Sequence, residues 1–314
     1  MKRTLPLLLV LIGWVVQCTT AEREPASASN SLKIQLGRKL FFDPRLSADG
    51  SISCSTCHIP RFAFTNNSAF ATGVGGRRGD RNVPTLVNRR GTTRQFWDMR
   101  ADSLEDQVVR VLQSPNEMGV RDLQQLVQRL NASELRAEFE TVFGGLATVG
   151  RLAEALVAYE QTLRSGTAPY DRYVSGDRSA LSPTQVRGMK LFFKKYRCDS
   201  CHSGPNFSDE QRRVRCYPFT SNLTEVTSAA VEKGQMFKTP TLRNLIYTEP
   251  YMHNGALSTL EEAVEFYTPS MQIDETGDPD PSRPIVLINA KEKTDLVEFL
   301  KSLSADQPFV EDKN

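Results

Sequence analysis

An excess of charge of either sign is what this sequence most plainly lacks. Its 39 lysines and arginines stand against 37 aspartates and glutamates, a net +2 over 314 residues. So close a balance sets up no field to gather nucleic acid or an acidic surface, and no nucleic-acid partner is expected. Long hydrophobic runs are absent too, except for Leu5 to Val16, so no later segment is a candidate membrane span. Histidine is scarcer still, with three in the chain, at positions 58, 202 and 253. The length admits two domains, each with its own core.

The single apolar run has a definite context. Lys2 and Arg3 precede it and the chain turns polar at Thr19-Thr20, which is the layout of an export signal. Residues 1–21 are therefore expected to be a signal peptide, and the mature protein to be periplasmic, either soluble or lipid-anchored. Cys18 ends the run, where a bacterial lipoprotein would be cleaved and acylated. Val15 and Val16 suit that reading, while Gln17 is bulkier than the small residue expected before a lipidated cysteine. Cleavage near Ala21 is the alternative, and the residues weigh the two evenly. A lipid at Cys18 is the one membrane contact expected.

Of the six cysteines, four fall in Cys54-Ser55-Thr56-Cys57-His58 and Cys198-Asp199-Ser200-Cys201-His202. In such a motif the two thiols form thioethers with haem vinyl groups, and the histidine becomes the proximal iron ligand. One copy can arise by chance or serve zinc. Two copies in an exported protein point to two covalently bound haems c. Cys216 is left over and reads as a free structural thiol.

The motifs are preceded by an echo. Gly37-Arg38-Lys39-Leu40-Phe41-Phe42 lies upstream of the first and Gly188-Met189-Lys190-Leu191-Phe192-Phe193 of the second, with 17 and 10 residues from glycine to first cysteine. The repeat predicts two related haem domains, each sending a Leu-Phe-Phe helix towards its macrocycle. Ser103 with Asp106 opens a helix through Leu112, and Leu123, Leu126, Val127 and Leu130 keep helical spacing. Leu152, Leu156, Tyr159 and Leu163 do the same. Ser182-Pro183-Thr184-Gln185 is a strong start signal. Ser258 with Glu261 opens another helix, and Leu296, Phe299, Leu300 and Leu303 mark a last one. Irregular loops are expected over 71–95 and 204–235, with a hinge from Ser165 to Gly176. The expected fold is mainly α: two cytochrome c-type haem domains, 30–175 and 176–310, with long irregular loops.

Three histidines limit the ligation. His58 and His202 are consumed as proximal ligands, so at most one haem can be bis-histidine. Any other sixth ligand must be methionine, tyrosine, a different donor or nothing.

Several longer segments sit in order around the motifs: Leu40-Phe41-Phe42-Asp43-Pro44-Arg45-Leu46-Ser47, Phe96-Trp97-Asp98-Met99-Arg100, Asn116-Glu117-Met118, Phe237-Lys238-Thr239-Pro240-Thr241-Leu242-Arg243-Asn244 and Pro250-Tyr251-Met252-His253-Asn254-Gly255. With them, residues 32 to 303 resemble the bacterial di-haem cytochrome c peroxidases and their MauG-like relatives. The resemblance implies that the His58 haem reacts with hydrogen peroxide and the His202 haem feeds it electrons. Many such peroxidases carry a distal histidine in the loop after the first motif. The matching position here is Val74, and no histidine lies between His58 and His202, which implies an open reactive iron.

The same resemblance makes Glu117 and Gln107 the distal acid–base pair. On the residues alone they read as a solvated loop carboxylate and an exposed helix side chain. Val111 departs from the proline usual in the MauG pattern. Trp97 matches a tryptophan lying between the two haems. Tyr267 matches the sixth ligand of the second haem, a methionine in conventional peroxidases and a tyrosine in MauG-type enzymes, although it also reads as a core tyrosine; Met252 is a rival ligand. A thioether raises a haem's potential, whereas a phenolate favours ferric iron. Tyr196 roughly matches a surface tryptophan that passes oxidation to a protein substrate. Asn82, through its side chain, and Thr248 and Pro250, through their carbonyls, match a calcium site, while His253 is expected to hydrogen-bond near the second haem. The implied enzyme is a peroxidase with an external electron donor, either a small cytochrome or a cupredoxin. In the alternatives it oxidises side chains of a substrate protein, or is a plain electron carrier.

Overall fold

The computed structural model describes residues 28–214, 236–270 and 287–312, so the signal region, Cys18 and Cys216 lie outside the described residues. The chain is mainly helical, with two antiparallel pairs of very short strands among the described residues. No described helix is long and apolar enough to cross a membrane.

The helices begin where side chains can take up orphan backbone donors. Ser103 accepts from Asp106 N at the head of Leu104–Gln113. Ser182 and Gln185 close a reciprocal capping box on Pro183–Lys190. The helix Leu260–Ser270 is capped one residue later than its sequence suggests: Thr259 pairs with Glu262, in place of Ser258 with Glu261. Leu163 lies beyond the end of Val149–Glu160, in a strand whose partner is Val310–Glu311. The helix Leu135–Phe143, which buries Leu135 and Phe139, was not anticipated. Within Ser165–Gly176, Pro169–Val174 is a short helix, and its Tyr170 packs into the second of three apolar clusters.

One construction occurs twice. The helix Ala28–Phe41 crosses Val149–Glu160, and Pro183–Lys190 crosses Ala290–Lys301. The crossing points are glycines. A Cβ on Gly37 would lie 1.8 Å from the Ala155 carbonyl oxygen, and one on Gly188 1.8 Å from that of Asp295. Four residues after each glycine comes a buried phenylalanine. Phe41 sits 5.3 Å from Tyr159 and 5.8 Å from Phe64 between ring centres. Phe192 sits 5.3 Å from Phe299 and 5.8 Å from Phe207. The Leu-Phe-Phe echo is therefore a packing device, an aromatic trio behind each haem motif. The copies are not identical, because the second helix continues through Leu191–Lys195 in a wider π-helical turn and has a shorter way to its cysteine. Phe42, the last residue of the first echo, is exposed and stacks on Arg38.

The chain ends cross over. Phe309 packs on Phe64 with centroids 4.8 Å apart, so residues near the C-terminus close over the first aromatic trio.

Candidate haem centres

The first motif forms a single helical turn, Cys54–Cys57, started by Ser53, whose N–H donates to Thr56 Oγ1 at 2.9 Å. His58 closes the turn, its N–H donating to the Cys54 carbonyl at 2.8 Å. Its ring is aimed by Phe64, because Nδ1 lies 2.8 Å from the Phe64 carbonyl oxygen. A carbonyl only accepts, so Nδ1 carries the proton and Nε2 is left as a ligand. Burial pushes the His58 pKa down to about 4, which keeps the ring neutral and able to bind iron. Burial also pushes the Cys54 and Cys57 thiols up, to about 12 and about 11.

Beside this turn the loop at 71–79 is clamped to the segment 114–119. Val74 is 4% exposed, and its N–H donates to the Glu117 carbonyl at 2.9 Å. Gly73 permits the contact, since a Cβ there would be 2.1 Å from the Asn116 oxygen. Arg77 reinforces it by donating to the Pro115 carbonyl. The Glu117 carboxyl lies above its ordinary pKa, chiefly because it is buried, and the attraction of Arg100 only partly offsets this. Its charge in turn raises the Cys57 thiol, so the carboxylate and the attachment cysteine are neighbours. Val74, Glu117 and the first motif are thus brought together. Gln107 instead lines the cavity described next. Val111 offers its carbonyl to Met118 N at 3.4 Å.

The second motif opens on a largely apolar cavity of about 360 Å³, with Cys198, Cys201 and His202 on one wall and Leu242, Val264 and Leu300 among its apolar lining. His202 repeats the geometry of His58: Nδ1 is 3.0 Å from the Phe207 carbonyl oxygen, leaving Nε2 as ligand, and burial lowers its pKa. Both carbonyl-bearing phenylalanines have positive φ, 60° at Phe64 and 50° at Phe207, which turns each oxygen back towards its histidine. Sequence reasoning missed these two residues, although a phenylalanine six residues after His58 and another five after His202 were a usable signal.

Tyr267 and Met252 both line this cavity, with Tyr267 Oη 3.6 Å from Met252 Sδ. Trp97 lines it too, its Nε1–H donating to the Asn82 carbonyl at 2.9 Å and its ring edge-on to His253. His253 is buried and stacks on Phe237, with centroids 4.2 Å apart. Asn82, Thr248 and Pro250 share one stretch of wall, and the Asn82 side-chain amide donates to Ser68 O. Tyr196, just before the motif, is buried and donates its hydroxyl to Glu292 at 2.9 Å.

The cavity fits a haem on chemical grounds. It is apolar and has an aimed histidine and two attachment thiols. On its wall the buried Thr239 Oγ1 has no hydrogen-bond partner, a polar group suited to a haem carboxylate. Two further wall residues to which the sequence gave no role, Arg89 and Lys238, are cations.

The family described as di-haem cytochrome c peroxidase matches residues 31–179. The methylamine utilization protein MauG of Methylorubrum extorquens is 36% identical over 91% of this chain and 82% of its own. The cytochrome c551 peroxidase of Nitrosomonas europaea is 34% identical over 89% and 82%. Among solved structures, a MauG-like protein associated with microbial copper homeostasis superposes with a TM-score of 0.74 at 27% identity, over 90% of this chain and 91% of that one. The chain belongs to the di-haem cytochrome c peroxidase family, peroxide-using oxidoreductases whose membership implies two haems c.

Proposed function

We propose that this protein reduces hydrogen peroxide at a haem held by His58, with electrons relayed through Trp97 from a haem held by His202 and Tyr267. The observation that carries the reading is Val74. An aliphatic side chain is packed beside Glu117, in the loop where a closing histidine would be needed, and no other histidine lies between positions 58 and 202. When bound, a haem ligated by His58 alone supplies an iron with a free position for peroxide.

The chain's own groups then handle the protons. Glu117 takes the proton from the near oxygen and returns it to the departing one, a task suited by a carboxyl whose pKa is raised by burial. Gln107, expected from the resemblance to share this path, lines the second cavity instead and takes no step in it. Trp97, fixed by its bond to Asn82, provides an aromatic step between the centres. Tyr267 as an anionic oxygen donor holds the second haem towards the ferric state, whereas Met252 would raise its potential. Oxygen atoms of Asn82, Thr248 and Pro250 suit a calcium ion beside Trp97. Export to the periplasm, soluble or held by Cys18, belongs to the same proposal.

A second reading keeps Tyr196 as a relay, although it is buried against Glu292 and not at the surface where the matching tryptophan lies. In that reading the electrons come from side chains of a substrate protein. Steady turnover with a reduced small cytochrome or cupredoxin supports the first reading. An oxidised state that persists until a partner protein is added supports the second. Optical and paramagnetic-resonance spectra of the ferric protein test both, since two low-spin haems with no response to peroxide would end the proposal.

A further inference from the structure

Three charged side chains form a cluster at the edge of the second cavity. Arg89 Nη1 is 3.4 Å from Glu210 Oε1, and Lys238 Nζ is 3.3 Å from Glu210 Oε2. The two cations are about nine-tenths buried, with side-chain exposures of 12% and 11%, and both line the cavity. Their other contacts are neutral: Arg89 donates to Gln95 Oε1 at 2.6 Å, and Lys238 to the Arg94 carbonyl at 3.1 Å. Two positive charges thus share one carboxylate. Arg89 also feels Glu160, but burial raises that acid to about 8, so it stays protonated at neutral pH. Burial and the neighbouring guanidinium push Lys238 down to about 8, and Glu210 only partly offsets them.

The remaining cations on this wall are committed elsewhere. Arg243 makes two bonds to Asp171, at 2.8 and 2.9 Å, and Arg197 pairs with Asp199. Next to Lys238, Thr239 Oγ1 is buried and unpartnered. An excess positive charge and an unused hydroxyl on the rim of an apolar cavity call for an anion with an apolar body. A haem, with its two carboxylate side chains, has that chemistry.

We propose that Arg89, Lys238 and Thr239 bind the carboxylate edge of the second haem, and that the two cations raise its reduction potential. Adding an electron near fixed positive charge is favourable, and burial leaves that attraction poorly screened. The strand carrying Lys238 also holds the electron-relay segment, because Lys238 N–H donates to the Trp97 carbonyl at 2.7 Å. The inference rests on the His202 cavity being the second haem's site.

The test is a spectroelectrochemical titration of the purified holoprotein, with haem content counted by mass spectrometry. Lys238→Met is expected to retain two haems and to shift the second haem to a lower potential while the first stays in place. Lys238→Arg, which keeps the charge, is expected to hold the potential of the unaltered protein. Arg89→Gln is read in the same way, and replaces Lys238→Met if that variant does not mature. Two haems with an unshifted second potential in Lys238→Met and Arg89→Gln overturn the cluster's role, as does an equal shift of both haems. A protein carrying a haem only at Cys54 and Cys57 overturns the underlying site assignment as well.

Discussion

Glu117 occupies a position where charging a carboxylate is costly, and that cost shapes its chemistry. Burial lifts its pKa above the ordinary 4.5, so it ionises at higher pH than a solvated glutamate. A proton acceptor must be ionised to work. The rate of reaction with peroxide should therefore rise with pH through that elevated pKa, and fall below it. Glu117→Gln should remove this limb and slow the reaction by roughly 10²- to 10⁴-fold, as read by stopped-flow mixing with peroxide. A variant that kept both the rate and the limb would assign the proton transfer to another group. Tyr267 and Met252 lie close enough to compete for one iron. Tyr267→Phe should alter the low-spin ferric spectrum of the second haem and Met252→Leu should leave it unchanged. The reverse result makes methionine the ligand.

At the scale of elements, the twice-used helix crossing links remote packing to iron ligation. The glycine lets two helices approach, the approach seats a phenylalanine, and that ring packs on the loop phenylalanine whose carbonyl aims the histidine. A Cβ at Gly37 or Gly188 would have to displace backbone, not a flexible side-chain tip. Gly37→Ala and Gly188→Ala should each cost at least about 1–3 kcal/mol, the range for overpacked cores. Gly150→Ala is the control, because a Cβ there meets nothing closer than 4.0 Å. Thermal unfolding followed by circular dichroism reads the difference, and equal midpoints for Gly37→Ala and Gly150→Ala would remove the crossing from the account.

The whole molecule carries a buried acid between its centres. Glu160 is 6% exposed, lies near enough to Cys54 to raise that thiol, and interacts with Arg89. Its pKa rises from 4.5 to about 8, chiefly through burial. Below 4.5 both folded and unfolded chains hold the proton, and the group costs nothing. As pH rises towards 8, the unfolded chain alone ionises, so this group's contribution turns against folding across that window. Glu160→Gln should therefore raise the melting temperature near pH 8 and leave it nearly unchanged near pH 4. A midpoint difference that stays constant with pH would show that the carboxyl is not the source. Residues late in the described chain also return to the first cluster, with Phe309 packed on Phe64 and Val310–Glu311 paired with Leu163–Arg164.

Much of this was legible in the amino-acid order, for a reason of range. Thioether attachment and proximal ligation need residues within five positions, so both haem motifs and their histidines can be read directly. Helix starts at Ser103 and Ser182 are equally local, because a cap reaches only three residues on. The echo at Gly37 and Gly188 announced a duplication without disclosing its purpose, since its partners at Ala155 and Asp295 are more than a hundred positions away. The tertiary structure alone aimed His58 and His202 at phenylalanine carbonyls, set Val74 against Glu117, and brought Arg89 and Lys238 of one cavity lining together on Glu210. Close packing and the cost of unpaired buried charge decide those arrangements, and both act between side chains that only folding brings into contact.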